Sequence, residues 1–406
     1  MSTSVAVPTA EYPRLRLKRH EERRLRAGHD WVYSNEIDTK TSPLSSFEPG
    51  ATVIVEEHNG RALGVAAVNP HSLISARLYS RNPHQLLDRS LLVHRLNIAL
   101  SLRERVFEQP FYRLVYGESD GLPGLIVDRF ADVLVVQITT AGMERLKDDL
   151  MSALDKVLRP RVVVLRNDSA MRELEGLPSY VECAKGEPPE LIRLQENGCQ
   201  FQIAPQSGQK TGWYFDHRLN RLRAQGYVKG CRVLDVFSYV GAWGIQAAVS
   251  GATSVLCLDS SAPALDGVMR NAELNGVTDK LTTLEGDVFD ALKALRSERE
   301  RFDVVILDPP AFIKRKKDLK EGEIAYQRVN QMAMQLLSKD GILVSASCSY
   351  HLQRSRLREI IAAAARHVDR STQILEQGHL GPDHPVHPAM PETDYLKCFT
   401  ARITVR

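Results

Sequence analysis

The six cysteines of this 406-residue chain, at 183, 199, 231, 257, 348 and 398, form no C-x-x-C pair and no tight framework. That spacing argues against a disulfide scaffold and for reduced thiols in a cytosolic protein. An apolar stretch is missing from Met1 to Tyr12, and no window approaches the ~20 apolar residues of a membrane span. A soluble, cytoplasmic protein without membrane association is therefore expected. An excess of one charge is missing as well: 53 Lys and Arg against 50 Asp and Glu leave +3, so local charge must decide whether a polyanion is bound. The dinucleotide fingerprint G-x-G-x-x-G is absent too, which disfavours a nicotinamide or flavin cofactor. Apolar residues, at 43%, suffice for a core in each of two or three domains.

The front of the chain concentrates positive charge. Residues 14–26 hold seven Lys or Arg against two Glu and run into Trp31 and Tyr33, so a solvated face and an RNA contact are both open, with the aromatics favouring RNA. Short alternating strands follow at Thr52 to Glu56, Leu63 to Val68 and Ser75 to Tyr79, with Asn59-Gly60 as a tight turn. A helix from Asp88 to Phe107 opens a second, α+β module, with strands at Tyr112 to Tyr116, Leu125 to Arg129, Val133 to Ile138 and Val162 to Arg166 and a helix from Met143 to Leu158. Asn197-Gly198 then marks a hairpin between Leu191 to Glu196 and Cys199 to Ile203.

Beyond the hairpin, apolar strands alternate with helix-length stretches: Arg232 to Phe237, Ser254 to Leu258, Leu281 to Glu285, Asp303 to Leu307 and Ile342 to Ala346. Such alternation predicts a parallel, doubly wound α/β sheet, whose ligands bind beyond the carboxyl ends of its strands. Asp235 lies in the first strand, ahead of a turn with Gly241. Asp259 ends the second and Asp287 follows the third. Each acid alone could be a helix N-cap, but three in series favour an adenosine-bearing ligand without a pyrophosphate. Asp308-Pro309-Pro310-Ala311-Phe312 follows the fourth strand, and Ser347-Cys348-Ser349 ends the fifth. On neighbouring strands, that carboxylate and thiol could attack a pyrimidine ring.

These motifs resemble those of class I S-adenosylmethionine-dependent methyltransferases. With the run from Gly208 to Arg218 and Asp394-Tyr395-Leu396-Lys397, the chain from about Arg14 onward more closely resembles the RlmI family, which makes 5-methylcytosine in 23S ribosomal RNA. The resemblance implies a PUA-like RNA-binding domain at 13–82, a central α+β domain at 85–190, a hairpin linker at 191–204 and a Rossmann-like methyltransferase domain at 205–406. It implies S-adenosylmethionine held by Asp235, Phe237, Gly241, Asp259, Ser260, Asp287 and Asp308, and closed over by Lys210, Phe215, Asp216 and Arg218. The implied partner is 23S rRNA or a large-subunit assembly intermediate, with no metal and the oligomeric state open.

Carbon 5 of cytosine is not nucleophilic until a thiolate adds at carbon 6. Cys348 is the candidate nucleophile, whereas Cys231, Cys257 and Cys398 read as small buried residues. Asp308 would hydrogen-bond the cytosine edge, Pro309 and Pro310 would fix the backbone, and Phe312 would stack on the extruded base. Related RNA enzymes carry a second cysteine after the D-x-P turn, where this chain has Ala311-Phe312, so the base that removes the carbon-5 proton is unassigned. Lys314-Arg315-Lys316-Lys317 would meet the RNA backbone or form a solvated loop. His379, His384 and His387 lack a cysteine partner and do not suggest zinc. Methylation of an exocyclic amine of guanine or adenine, and a non-catalytic ribosome-assembly role, stay open as alternatives.

Overall fold

The structure, a computed structural model, describes residues 12–406; all but the last residue of the Met1 to Tyr12 reading lies outside them. The chain groups into two compact units. One holds the described residues up to Glu190 with Pro205–Trp213 and Pro382–Thr393; the other holds Leu191–Ala204, Tyr214–Gly381 and Asp394–Arg406.

The first unit begins with β1 (Arg14–Arg16), α1 (Arg23–Arg26), β2 (Trp31–Tyr33), β3 (Ala51–Glu56), β4 (Ala62–Val68) and β5 (Ile74–Ser80), in a sheet of order β1-β3-β4-β5-β2. Alternation in β3 and β4 buries Val53, Val55, Ala66 and Val68 against Leu15, Leu17 and Val32. Part of the basic run is paired inside this fold, while Arg14, Lys18, Arg19 and Arg23 are exposed. Arg16 pairs with Glu56 at 2.7 Å, Arg24 with Glu36 at 2.7 Å and Arg26 with Glu57 at 2.6 Å, and all three glutamates are buried. Trp31 donates its indole N–H to Glu118 at 2.8 Å, and Arg24 stacks 4.5 Å from the Tyr33 ring centre. Both aromatics therefore do structural work within the unit.

A second sheet follows, built from α2 (Arg89–Val106), β6 (Phe111–Tyr116), β7 (Leu125–Phe130), β8 (Val133–Ile138), α3 (Ala141–Arg145), α4 (Lys147–Leu158), β9 (Val162–Asn167), α5 (Ala170–Leu174) and β10 (Tyr180–Lys185), in the order β10-β9-β8-β7-β6. Asp88 caps α2 by accepting the Leu91 N–H at 3.0 Å. The helix expected from Met143 to Leu158 is two helices. Thr140 caps α3, and Leu146, at φ −92° and ψ 9°, leaves helical geometry and separates it from α4.

The second unit opens with the hairpin of β11 (Ile192–Glu196) and β12 (Cys199–Ile203). Asn197 and Gly198 both have positive φ, 51° and 82°, as a two-residue type I′ turn requires. Then come α6 (Arg218–Ala224), β13 (Arg232–Val236), α7 (Ala242–Val249), β14 (Ser254–Asp259), α8 (Ala262–Leu274), β15 (Leu281–Glu285), α9 (Val288–Ser297), β16 (Phe302–Leu307), α10 (Leu319–Leu336), β17 (Leu337–Ser347), α11 (Arg354–His367), β18 (Arg370–Gly378) and β19 (Lys397–Val405). The sheet order is β15-β14-β13-β16-β17-β19-β18.

All pairings from β15 to β17 are parallel, as the alternation predicts, but β19 runs antiparallel to both β17 and β18. The sheet is therefore mixed rather than wholly parallel, a common arrangement in which antiparallel strands extend a parallel sheet. Strand order reverses between β13 and β16, which opens a crevice at their carboxyl ends. The core beneath it packs Leu234, Val236, Val305, Leu307, Leu343 and Phe399 against α10 and α11. No helix of the described residues is long and apolar enough to cross a membrane.

Candidate active site

At the end of β13 the Asp235 side chain is 0% exposed. Its Oδ2 accepts the Gly244 N–H at 2.8 Å, while its Oδ1 and the buried Ser238 hydroxyl have no hydrogen-bond partner. Burial pushes the Asp235 carboxyl up to about 7, against the pull of the Gly244 N–H and helped by the charges of Asp308 and Asp259. The following turn is tightly wound: Phe237, Tyr239 and Gly241 have φ of 65°, 48° and 81°. Left-handed backbone at two non-glycine residues costs of order 1–3 kcal/mol each and is characteristic of functional sites. Gly244 is required for packing, since a Cβ there would lie 2.6 Å from Cys257 Sγ and 3.1 Å from Asp235 Oδ2.

Asp259 ends β14 with one oxygen accepting the Tyr239 N–H at 2.9 Å and the other the Ser261 N–H at 3.0 Å; Ser260 beside it is exposed. Asp287 is exposed and caps α9, accepting from Phe289 N and Asp290 N at 2.9 and 3.2 Å. Phe215 is buried, with the Arg218 guanidinium 5.0 Å from its ring centre and Arg218 Nε 3.5 Å from the buried Glu196. Asp216 is buried and accepts the Tyr395 hydroxyl at 2.7 Å. Lys210 falls in the Pro205–Trp213 stretch of the first unit, exposed and at φ 50°.

The parallel register pairs Leu307 with Ser345, so Asp308 and Cys348 emerge at the same rim. Asp308 Oδ1 lies 3.1 Å from His217 Nε2, and Trp243 donates its indole N–H to Oδ2 at 3.0 Å. Burial opposes charge on both Asp308 and His217, yet their mutual attraction prevails. Asp308 is held below, and His217 above, its ordinary value. The geometry thus favours the charged form of each partner.

Cys348 is half-buried, with its Sγ 3.9 Å from the Pro309 carbonyl. Both residues flanking it are bolted down: the Ser347 hydroxyl donates to Tyr326 Oη at 2.9 Å, Tyr326 Oη and Ser349 Oγ are 2.9 Å apart, and the Ile313 N–H donates to Ser349 Oγ at 3.1 Å. Tyr326 thus ties the cysteine turn to the loop after Asp308. Pro309 is buried and Pro310 exposed, while Phe312 packs its ring against Tyr326 at 4.8 Å and Phe237 at 6.2 Å. Cys199, Cys257 and Cys398 are buried, and burial raises all three thiols, that of Cys199 to about 11. Cys231, expected to be buried, is only half-buried because it precedes β13 rather than lying within it, and its partial burial raises the thiol as well.

Sequence reasoning missed His217, Trp243, Tyr326 and Lys397. His217 follows Asp216 in a run already singled out, and Lys397 closes the Asp394-Tyr395-Leu396-Lys397 run, which were the available signals. The loop 314–317 is exposed, with Arg315 paired to Asp318 at 3.0 Å. His384 is buried against Asp383, and among the described residues no group of three or more His, Cys, Asp or Glu could hold a metal.

The crevice suits S-adenosylmethionine. Two buried, unpartnered acceptors at Asp235 and Ser238 match an ammonium, the wound turn permits close backbone approach, and the Asp259 carboxylate at the next strand end is of a kind that accepts from ribose hydroxyls. A family model described as S-adenosylmethionine-dependent methyltransferase matches residues 166–389, and one described as a PUA-like domain matches 15–81. The chain is 38% identical to the ribosomal RNA large subunit methyltransferase I of Shewanella denitrificans and 35% identical to that of Cronobacter sakazakii, each alignment covering 96% of this chain and 99% of the relative. A candidate S-adenosylmethionine-dependent methyltransferase structure from Streptococcus mutans superposes with TM-score 0.82 at 20% identity, over 96% of this chain and 100% of that one. A second candidate methyltransferase structure, complexed with SAH, gives 0.83 at 20% identity over the same shares, and both show the fold alone. With its wound turn, strand-end acids and near full-length relatives, this chain belongs to the S-adenosylmethionine-dependent methyltransferase family, in the group of the ribosomal RNA large subunit methyltransferase I proteins.

Proposed function

We propose that this protein methylates carbon 5 of a cytosine in large-subunit ribosomal RNA, through a covalent bond between Cys348 and carbon 6 of the base. The observation that carries the reading is the half-buried Cys348 beside the strand end that bears the paired carboxylate of Asp308. The relatives' names supply the RNA class, and the PUA-like match supports RNA binding by residues 13–82. Residues 85–190 and 191–204 connect that module to a methyltransferase domain at 205–406.

S-adenosylmethionine supplies an electrophilic methyl group on a sulfonium. The Cys348 thiolate forms a bond to carbon 6, and the electron pair of the 5,6 double bond makes carbon 5 nucleophilic. After methylation, loss of the carbon-5 proton restores the double bond and expels the thiolate. Asp308, ionised and fixed by His217 and Trp243, accepts a hydrogen bond from the cytosine N4 amino group and orients the N3 edge. Phe312 stacks on the extruded base while Pro309 and Pro310 restrict the loop. Asp235, Phe237 and Gly241 hold the methionine end of the cofactor, and Asp259, Ser260 and Asp287 the nucleoside, with Asp308 at the rim. Phe215, Asp216 and Arg218 shape the enclosure.

One observation favours a second reading: an acid-Pro-Pro turn followed by an aromatic also suits methylation of an exocyclic amine, which needs no thiol. Reaction of large-subunit rRNA with labelled S-adenosylmethionine, followed by nucleoside digestion, separates the two. 5-Methylcytidine from the parent and no product from Cys348→Ala are expected. A methylated guanosine or adenosine, or activity surviving Cys348→Ala, would overturn the reading, and tight RNA binding with no label transferred would point to an assembly factor.

A further inference from the structure

We infer that Lys397 is a positioning residue for Cys348, its buried ammonium anchored beside the cysteine turn so as to favour the thiolate over the thiol. The inference rests on Cys348 acting as a nucleophile. Lys397 opens β19, where the antiparallel register sets it opposite Ser347, the residue before Cys348. It is 3% exposed, in a protein interior where lysine is rarely found without a charged partner. Its ammonium donates to the Ser349 carbonyl at 2.6 Å and the Tyr395 carbonyl at 2.7 Å. One of these carbonyls belongs to the residue directly after Cys348, so the cation is tethered to the turn that carries the thiol.

The charged and titratable groups around this pair come from several elements. Arg354 of α11 donates to the Gly378 and Leu396 carbonyls and lies 4.0 Å from Asp394. Tyr326 of α10 holds the flanking serines, and Tyr214 and Asp308 complete the set. Burial pushes the Lys397 ammonium down to about 8; the Cys348 sulfur opposes that, Arg354 adds to it, and Asp394 opposes it. Lys397 therefore remains mainly cationic at neutral pH. Cys348 and Lys397 act on each other, and a cation so placed stabilises a thiolate. No proton passes between them: the thiol proton goes to solvent, and the ammonium makes its departure easier. This gives Lys397 a task that the hydrogen bonds of a neutral side chain could not perform.

The test is the rate of iodoacetamide alkylation at Cys348 in the full chain, read by peptide mass spectrometry from pH 6 to pH 10. Lys397→Met should slow alkylation about tenfold at pH 7, with the two rates converging near pH 10, and Lys397→Arg, which keeps the cation, should stay close to the parent. A Lys397→Met profile superimposed on the parent's would overturn the inference. Should Lys397→Met fail to fold, Cys348→Ser decides. The depressed lysine makes the parent's melting temperature rise with pH between about 8 and the unfolded value of 10.5. Removing the sulfur should start that rise at lower pH, and unchanged curves would refute the coupling. Lys397-dependent alkylation alongside methylation that survives Cys348→Ala would uphold the pair while removing the cytosine-5 reading.

Discussion

Asp235→Asn should make the ligand-free protein more stable at alkaline pH while crippling cofactor binding. Asp235 is fully buried, with one oxygen bonded to Gly244 N–H and the other without a partner, and its carboxyl is pushed from 3.8 up to about 7. Three pH units between the two states correspond to about 4 kcal/mol. Below pH ~4 the group is neutral in both folded and unfolded chains, so it contributes no pH dependence. As pH rises from about 4 to about 7, the unfolded chain releases its proton while the native state retains it, and stability falls. Asparagine carries no charge and can still accept the Gly244 N–H, so the variant escapes this loss. The expected gain over the parent is near zero at pH ~3, about 1 kcal/mol at pH 4.5 and up to about 4 kcal/mol at pH 8, or roughly 8–16 °C in melting temperature for a unit of this size. Calorimetric titration with S-adenosylmethionine at pH 7.5 should show at least about tenfold weaker binding, because the carboxylate that would face the ligand's ammonium is gone. Equal pH–stability curves for parent and variant, or unchanged cofactor affinity, would refute the reasoning.

His217→Gln removes the ring whose attraction holds the Asp308 carboxyl below its ordinary value. Because His217 is raised, its stabilising contribution is fully present below pH ~6.5 and is lost as pH rises through its folded value, so urea melts should show a larger loss at pH 6, about 3 kcal/mol, than at pH 9. Equal losses at both would contradict the ion-pair assignment. Gly244→Ala places a Cβ 2.6 Å from Cys257 Sγ and should cost about 1–3 kcal/mol by denaturant unfolding, an effect that Cys257→Ala should relieve in part. Replacing Lys314, Lys316 and Lys317 by alanine should lower the slope of log RNA affinity against log salt by about 2, if these exposed cations meet phosphates. An unchanged slope would assign the loop to solvent.

Asp235, Asp259, Asp308 and Cys348 were legible because the alternation of strand and helix fixes where strands end, and a strand end in a parallel sheet is a rim. Asp287 lies where that logic puts it and also caps α9, one oxygen accepting from Phe289 N and Asp290 N. A last strand around Cys398 was legible, but its antiparallel direction was not, because β19 follows a long irregular segment after β18. His217 and Lys397 escaped because their importance lies in partners far along the chain, 48 residues away for Lys397 and Ser349. The basic run at 14–26 illustrates the same point in reverse. Its charge density leaves an RNA face open, and the pairing of Arg16, Arg24 and Arg26 with glutamates 12 to 40 residues distant is something that local charge does not report. Local pattern reports the rim of the sheet well and the electrostatic partners behind it poorly.

The covalent role of Cys348 is tested most directly with large-subunit RNA in which cytosine is replaced by 5-fluorocytosine. Fluorine leaves no carbon-5 proton to remove, so an enzyme that has added its thiolate and methylated the ring stays attached. The account predicts a denaturation-stable protein–RNA adduct that requires S-adenosylmethionine, maps to Cys348 by peptide mass spectrometry and disappears in Cys348→Ala. Methylation of ordinary RNA without any such adduct, or an adduct at another cysteine, would contradict it.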